Sequence, residues 1–374
     1  MDFVQTEEHR ELAALTREIL ADRLTAERLR AAGTFDRALW DDLARAGVLS
    51  AGLPATVGGD GLGVLAQCAV LIELGRAVAP VPYLSSIVTA AATLAESGTD
   101  AQRERWATPA ARGELVLTAA LSGGSVEARR SADRWVLSGA LSTVPAAPYA
   151  DMVLVPTNAG VFLVLPGDDG VLVEQQKVSG GEGAGRLELS EVALADDRLL
   201  PQGADQLRRQ AILGLCAAQV GVTERALELT AEHARNRIQF ERPIGAFQAV
   251  RQRLADAHID TEAVRLTMWQ AAWRLSAGLP CDAELGTAKF WAAEAGHRVA
   301  HTAVHIHGGM GVDIDHPLHR YYLAATHNEF HLGGATAALL SLDASLTNAL
   351  DGASLTDALD SHPTDALDAS LADA

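Results

Sequence analysis

The spacing of apolar residues changes twice along this chain, and these changes limit the domains that it can form. From Thr6 to about Gly113 apolar residues recur every three or four positions, which predicts helices. Short alternating runs separated by glycine-rich turns follow up to about Pro201, a pattern typical of antiparallel strands. Helical spacing then returns in long segments at 204–236, 246–276, 284–307 and 317–348. We therefore predict an α+β fold with an N-terminal helical domain, a middle antiparallel β barrel or sandwich, and a C-terminal four-helix bundle.

The same changes place the domain boundaries. We expect the helical domain at 1–113, the β domain at 114–201, the bundle at 202–349 and a tail at 350–374. Gly75 stands where the C-cap of an N-terminal helix is expected. In the tail, Thr356-Asp-Ala-Leu-Asp360 recurs as Thr364-Asp-Ala-Leu-Asp368 among small and acidic residues. Such a segment can bury little apolar surface, so we predict that it is disordered.

The charge and the cysteines exclude several classes of protein. A formal net charge of −18 argues against binding to nucleic acid or an anionic membrane, because either partner requires a basic surface. No apolar run reaches the length of a membrane span, and the first residues are acidic where a signal peptide would be basic. Cys68, Cys216 and Cys281 lie far apart, which predicts buried, reduced thiols. We expect a cytoplasmic protein without membrane insertion.

One joint in the second helical region contains many groups that could bind a ligand. The segment 237–248 reads Arg-Ile-Gln-Phe-Glu-Arg-Pro-Ile-Gly-Ala-Phe-Gln, and its proline and glycine interrupt the helical pattern. Arg237, Phe240 and Gln248 can therefore surround a single turn. An arginine pairs with phosphate and a phenylalanine offers a stacking face, so the joint could hold a planar or phosphorylated ligand. The alternative is an ordinary helical hairpin.

Histidines raise a different possibility. His301 and His305, like His327 and His331, are four residues apart, a spacing that puts two imidazoles on one helical face, as metal ligands require. His307 lies close by. No acidic third ligand stands at a useful spacing, so we predict no metal site.

Several further motifs follow one another in a characteristic order. With the joint at 237–248 they are the segments 2–8, 53–63, 73–82, 254–257 and 307–311, which include Glu73-Leu-Gly-Arg76, Pro80-Val-Pro82 and His307-Gly-Gly-Met-Gly311. In this order, the motifs and the three-part organisation resemble the acyl-CoA dehydrogenase family over nearly the whole body of the chain.

This resemblance implies a cofactor, a reaction and partners. The family consists of tetramers that use FAD for the α,β-dehydrogenation of acyl-CoA thioesters. A glutamate removes the α-proton, the β-hydrogen leaves as hydride to the flavin, and electron-transfer flavoprotein reoxidises the cofactor. FAD bridges two protomers, one of which binds its adenosine diphosphate half. By position, the residues for that half are Arg237, Phe240, Ile244, Phe247, Gln248, His305, Gly308 and Gly309. His305 replaces the usual glutamine and can still donate a hydrogen bond.

The flavin end departs from the family pattern. The loop that normally contacts the flavin ring is matched by a shorter stretch, in which Ser122 could replace the usual threonine hydroxyl. The Trp-Ile-Thr or Trp-Ile-Ser segment along the flavin is replaced by Thr143-Val144-Pro145. The segment has therefore lost an aromatic wall, and proline has no N–H to donate.

Neither position that the family uses for its catalytic base carries a carboxylate. Leu332 occupies one of them and Ala211 the other, and neither side chain can accept a proton. Asp205 and Glu329 are the nearest acids and are weak candidates for an unconventional base.

These losses predict one half of a composite active site. The chain is similar to subunits of actinobacterial α2β2 heterotetramers for steroid side-chain β-oxidation, and we expect it to complete the FAD site of a paralogous partner that supplies the glutamate. Two alternatives remain open: a homotetrameric enzyme with an unconventional base, and a non-catalytic scaffold or regulatory subunit with the same fold. The sequence does not identify the acyl group.

Overall fold

The first part of the chain is helical, as the apolar spacing predicts. The computed structural model describes residues 6–31, 33–180 and 183–352. The first seven α-helices are α1 (Glu7–Arg23), α2 (Ala26–Ala31), α3 (Arg37–Arg45), α4 (Gly63–Ala77), α5 (Ala92–Ser97), α6 (Asp100–Gln102) and α7 (Thr108–Ala111). Two π-helical segments, Tyr83–Ala91 and Arg103–Ala107, run directly into α5 and α7. Thr6 caps α1 by accepting a hydrogen bond from the His9 N–H.

The prediction that Gly75 is a helix cap is wrong, because Gly75 lies inside α4 and the left-handed residue after this helix is Val78. Gly75 instead allows a close helix crossing. A Cβ there would overlap the carbonyl oxygen of Ala218, and a Cβ at Gly221 would overlap the carbonyl oxygen of Ile72. Helix α4 therefore packs backbone to backbone against the long helix that contains Ala218 and Gly221.

The middle region forms two open four-stranded sheets rather than a closed barrel. Its strands are β1 (Leu117–Ala119), β2 (Gly124–Ser131), β3 (Arg134–Pro145), β4 (Met152–Thr157), β5 (Gly160–Val164), β6 (Val171–Gln176), β7 (Ala184–Leu194) and β8 (Leu199–Leu200). One sheet has the order β1-β4-β5-β8 and the other β2-β3-β7-β6. Buried residues of both sheets, among them Val153, Phe162, Leu137 and Leu187, share one core, so the sandwich alternative is correct.

The expectation of purely antiparallel pairing fails at one edge, where β1 runs parallel to β4. Between these strands the chain forms β2 and β3 in the other sheet. It therefore returns to the first sheet in its original direction, which gives a parallel pair. The β3–β7 ladder also changes register between Leu141 and Val144, around Ser142 and Thr143. Such bulges redirect side chains.

Long helices return after the sheets, as the periodicity predicts. They are α8 (Ala204–Asn236), α9 (Gln248–Ser276), α10 (Asp282–His307), α11 (Leu318–Phe330) and α12 (Ala335–Gly352). The last predicted segment, 317–348, is thus two helices rather than one. Leu332 and Gly333 between them have φ angles of 60° and 101°, a conformation that no right-handed helix contains.

Three sequence-based expectations concern burial, membrane spans and the tail. Cys68, Cys216 and Cys281 are free and buried, which confirms that prediction. Within the described residues, no helix has both the length and the apolar character needed to cross a bilayer. The predicted disordered tail lies, from residue 353 onward, outside the described residues.

Candidate functional site

The joint after α8 is a small β-hairpin, whereas the sequence predicted a single turn between two helices. Helix α8 ends at Asn236, and the strands β9 (Ile238–Gln239) and β10 (Arg242–Pro243) pair antiparallel. Phe240 and Glu241 form the two-residue turn, with φ angles of 51° and 63°. Positive φ at both positions defines the turn type whose twist matches a hairpin. The joint therefore projects from the helices instead of continuing them.

The hairpin brings the predicted ligand groups together. The Arg237 carbonyl accepts a hydrogen bond from the Ile244 N–H at 2.9 Å, which closes the base of the hairpin. The Phe240 ring is 86% exposed and meets Phe247 edge to face, with ring centroids 6.1 Å apart. Arg242 lies over the Phe247 ring at 4.2 Å, and Gln248 begins α9. An exposed aromatic ring held next to exposed arginines is typical of a binding surface.

The end of α10 lies beside the hairpin. The His307 ring stacks on His233 of α8, with centroids 4.3 Å apart, which ties the two helix ends together. Burial lowers the pKa of both imidazoles, and the nearby positive charge of Arg237 lowers the pKa of His233 further. The positive charge at this end of the molecule therefore comes from arginine. At Gly308 and Gly309 a Cβ would meet no protein atom within 4 Å, so the backbone there is open to a ligand.

His305 faces a groove between α9 and α10. Ala249 and Gln252, from the first turns of α9, line the same groove, so His305 lies beside the helix that Gln248 begins. The eight residues predicted to hold the adenosine diphosphate half thus lie in the joint between α8 and α9, at the start of α9, and at the end of α10 or directly after it.

Ser122 and Thr143 line a separate crevice between the β domain and α11. The connection from β1 to β2 consists of residues 120–123 only. It is tight, because a Cβ at Gly123 would overlap the Ser142 hydroxyl and the Ser142 N–H donates to the Gly123 carbonyl at 3.0 Å. The crevice offers hydroxyl groups within a constrained loop.

A cavity of about 120 Å³ adjoins this crevice and is mainly apolar. Its walls come from α4, the π-helical segment at Tyr83–Ala91, α8 and the break between α11 and α12. Ala211 and Leu332 both line it, although they are far apart in the sequence. The structure therefore brings together the two positions at which the resemblance places a base, and both are apolar.

Neither Asp205 nor Glu329 lines this cavity or the crevice, although the neighbours of Glu329, Asn328 and Phe330, do. Asp205 is exposed in the first turn of α8. The Glu329 carboxylate lies 3.0 Å from the His297 imidazole on α10. A general base must reach the proton that it removes, and these placements give no such reach.

Sequence reasoning missed a polar network behind the cavity. Lys289 is buried, and its ammonium donates to the carbonyls of Asn328 and Glu329 at 3.1 and 3.0 Å, in the last turn of α11. The Asn328 amide donates to the Gln219 side chain at 2.8 Å. Burial lowers the pKa of Lys289. A lysine in the middle of an apolar helical face, in a chain with only two lysines, was the available signal.

The histidines are not arranged as a metal site would require. His327 and His331 stack with centroids 5.3 Å apart and line both the cavity and the crevice. His301 instead contacts His297 and Tyr322. Within the described residues, no group of three or more histidine, cysteine or acidic side chains is arranged to hold a metal ion.

Comparison with known proteins decides the family. Two family models match: the N-terminal domain of acyl-CoA dehydrogenase over residues 6–114 and its C-terminal domain over residues 209–342. Acyl-CoA dehydrogenase FadE27 of Mycobacterium tuberculosis is 46% identical over 362 residues, covering 91% of this chain and 97% of that protein. The chain belongs to the acyl-CoA dehydrogenase family.

Solved structures agree with this assignment. The ChsE4-ChsE5 complex from Mycobacterium tuberculosis contains a chain that superposes with a TM-score of 0.90 at 46% identity, covering 93% of this chain and 99% of that one. A chain of the Tcur3481-Tcur3483 steroid ACAD superposes with a TM-score of 0.87 at 38% identity, covering 92% and 98%. Butyryl-CoA dehydrogenase from Megasphaera elsdenii, at 23% identity and a TM-score of 0.84, shares the fold.

Membership in this family establishes the kind of chemistry. Acyl-CoA dehydrogenases are oxidoreductases that act on acyl-CoA, and they are FAD flavoproteins. FAD is therefore the cofactor of this acyl-CoA dehydrogenase.

Proposed function

We propose that this acyl-CoA dehydrogenase chain is one subunit of an α2β2 heterotetramer that performs α,β-dehydrogenation of an acyl-CoA thioester. It binds the adenosine diphosphate half of FAD, and a paralogous partner supplies the flavin cradle and the catalytic glutamate. The observation that carries this proposal is the cavity that Ala211 and Leu332 both line. Among the described residues that line it, none is an aspartate or a glutamate.

Removal of an α-proton requires a base within hydrogen-bond reach of the substrate. The His297 imidazole on α10 engages Glu329, and Asp205 stands exposed at the start of α8. His331 lines the cavity, but burial, His327 and Lys289 lower its pKa to about 3. So weak a base is poorly matched to proton abstraction near neutral pH. The base is therefore assigned to the partner.

The hairpin end fits the adenosine diphosphate half of FAD. Arg237 is exposed for pairing with a diphosphate, and Phe240 exposes a ring face for stacking. Gly308 and Gly309 leave room for the close approach of a ligand. These groups bind and orient the cofactor. When bound, FAD would supply an acceptor for the hydride that leaves the substrate β-carbon.

The flavin end of this chain is less suited to the cofactor. Its β1–β2 loop is short and tightly packed, and Pro145 offers no N–H where the family has a hydrogen-bonding residue. Ser122 and Thr143 retain hydroxyls in the crevice, but the segment at 143–145 has no aromatic residue, and the phenylalanine that lines the crevice, Phe330, belongs to α11. This asymmetry between the two ends supports a cofactor shared with an unlike chain.

The relatives support a heteromeric assembly as well. The chains that superpose with TM-scores of 0.90 and 0.87 both belong to assemblies named for two components, and one of these is called a steroid ACAD. We extend this to the present chain as a partner in cytoplasmic steroid or fatty acyl-CoA oxidation, with electron-transfer flavoprotein as the electron acceptor.

A double variant, Asp205→Asn with Glu329→Gln, tests where the base lies. In the complex with the partner chain, exchange of the substrate α-proton with solvent should remain within about twofold of wild type, because neither carboxylate reaches the substrate. Loss of exchange with flavin content unchanged would place the base in this chain and favour the homotetrameric alternative.

A further inference from the structure

The ends of α8 and α10 carry a cluster of three histidines beside the hairpin. The His233 ring stacks on His307 with centroids 4.3 Å apart, and His307 meets His316, in the connection between α10 and α11, at 5.2 Å. Arg237 follows one helical turn after His233, and its N–H donates to the His233 carbonyl at 2.8 Å. Three imidazoles and one guanidinium therefore lie next to the open backbone that follows α10.

The charges that act on the stacked pair are all positive. Burial lowers the pKa of His233, and Arg237 and His316 lower it further. Burial also lowers the pKa of His307 despite its hydrogen bond to Ala303, and the other two histidines add to this effect. Within the described residues, no carboxylate is among the charges that shift either imidazole. The acidic residues adjacent in the sequence are exposed: Glu232, Asp313 and Asp315.

Hydrogen bonds determine where this cluster can gain a proton. His307 Nδ1 donates to the Ala303 carbonyl at 2.9 Å, which leaves Nε2 as the acceptor of the neutral ring. His316 Nδ1 accepts the Leu318 N–H at 3.2 Å, so protonation of that nitrogen would break the bond. His233 and His307 lie in the last turns of their helices, where the C-terminal carbonyls favour a positive charge. A proton is therefore best placed on the stacked pair.

We propose that the His233–His307 pair takes up one proton when the diphosphate of FAD binds beside Arg237. A diphosphate brings negative charge to a place where the chain supplies only positive or neutral groups, and a nearby anion favours the charged imidazole. A second proton is disfavoured, because two imidazolium rings 4.3 Å apart repel each other. This inference rests on the proposed function, in which the hairpin binds the adenosine diphosphate half of FAD.

Proton uptake makes the affinity for FAD depend on pH. The bound anion raises the pKa of the pair above its value in the free protein, so the added affinity is present at low pH and is lost as the pH rises through the raised value. One proton changes the affinity by at most about tenfold per pH unit. The Kd for FAD should therefore be about three- to tenfold lower near pH 6 than near pH 8.

Calorimetric titration with FAD measures the uptake directly. The sample is the complex with the partner chain after removal of its flavin, in two buffers of different ionisation enthalpy. The wild-type complex should take up a proton for each FAD bound, to an extent that grows as the pH is lowered from 8 towards 7. His258→Phe replaces an exposed histidine on α9 and is the control, which should leave the uptake unchanged.

Two further variants separate proton uptake from a structural role of the rings. His233→Phe combined with His307→Asn keeps one ring and a side-chain N–H donor for Ala303, but removes both titrating groups, so the uptake and the pH dependence should disappear. His233→Arg supplies a permanent positive charge. Its affinity at pH 8 should rise about three- to tenfold, to that of wild type near pH 6, without proton uptake.

FAD binding to the wild-type complex without proton uptake would overturn the proposal, and so would uptake that persists in the double variant. The wild-type titration and His233→Arg need no substitution of a buried residue, so they decide the matter even where the double variant does not fold. Failure of the proposed function gives a different result, because Arg237→Ala would then leave FAD binding unchanged. If only the proton uptake is wrong, Arg237→Ala still weakens FAD binding.

Discussion

At the scale of single residues, Arg237 is the side chain to which we assign the most direct role in FAD binding. It is exposed at the base of the hairpin, and its charge is close enough to His233 to lower the pKa of that imidazole. Replacement by alanine removes a charge-assisted hydrogen bond of about 1.5–3 kcal/mol. We expect Arg237→Ala to weaken FAD binding by the complex roughly ten- to a hundredfold, measured by flavin fluorescence on dilution.

The matched control is Arg235→Ala, which removes the same charge from an exposed position two residues earlier in α8. It should leave FAD binding unchanged. Equal losses in the two variants would mean that only the overall charge of this surface matters, and unchanged binding in Arg237→Ala would show that the hairpin does not hold the cofactor.

His331 makes the stability of the protein depend on pH. Burial, followed by the charges of His327 and Lys289, lowers its pKa from 6.5 to about 3 in the folded protein. His331 in the unfolded chain therefore binds a proton near pH 6.5, whereas in the folded chain it does not. The free energy of unfolding consequently falls as the pH falls below this value. Between about pH 7 and about pH 5 the loss from His331 is at most about 2 kcal/mol.

The variant His331→Phe removes this proton uptake. Urea unfolding at the two pH values should therefore show a smaller loss of stability in His331→Phe than in wild type, by up to about 2 kcal/mol. Identical pH dependence in the two proteins would show that His331 is not held in its neutral form.

At the scale of elements, the crossing of α4 and α8 holds one wall of the cavity in place. Gly75 and Gly221 allow the backbones to touch, and a methyl group at Gly221 would overlap the Ile72 carbonyl. Overpacking of this kind costs about 1–3 kcal/mol. We expect Gly221→Ala to lower the free energy of unfolding by about 2 kcal/mol, although alanine favours helix.

Gly167→Ala is the control for that change. Gly167 lies in a turn, where a Cβ would meet nothing within 4 Å, so its replacement should alter stability by less than about 0.5 kcal/mol. Thermal unfolding of both variants decides the matter, and a Gly221→Ala protein as stable as wild type would refute the close crossing.

Periodicity predicted the elements whose apolar faces are long and unbroken. Helix α8 runs from 204 to 236 as the spacing indicates, because buried residues recur along it from Leu207 to Ala234 and surround it in its middle, at 213–217. The hairpin at 238–243 was missed, because its strands have two residues each and its turn uses Phe240 and Glu241 instead of glycine. So short an element depends on local backbone geometry that no apolar period records.

The candidate site likewise has one part that the sequence indicated and one part that it did not. The ligand groups of the hairpin lie within twelve consecutive residues, so the sequence alone suggested a clamp there. The cavity takes its walls from α4, the π-helical segment, α8 and the break after α11. Only the resemblance indicated that Ala211 and Leu332 correspond to functionally related positions. The sequence could not show that His327 and His331 lie at the same cavity, because this depends on how helices distant in the sequence pack together.

At the scale of the whole molecule, the hairpin and the turn after α10 expose large apolar side chains. Within these two segments the most exposed are Phe240 at 86%, Ile314 at 75%, Val312 at 58% and Ile238 at 53%. Apolar groups concentrated in this way mark interaction surfaces. They lie around the proposed cofactor grip, so we expect partner association and FAD binding to depend on each other.

The central claim is that this chain completes a flavin site that it cannot form alone. The most direct measurement is the flavin absorbance and the acyl-CoA oxidation rate of the purified full-length chain, alone and after co-expression with its paralogous partner. The chain alone should be colourless and inactive, and the co-purified complex should be yellow and active, with one flavin for each pair of unlike chains. A yellow, active homotetramer of this chain alone would contradict the account.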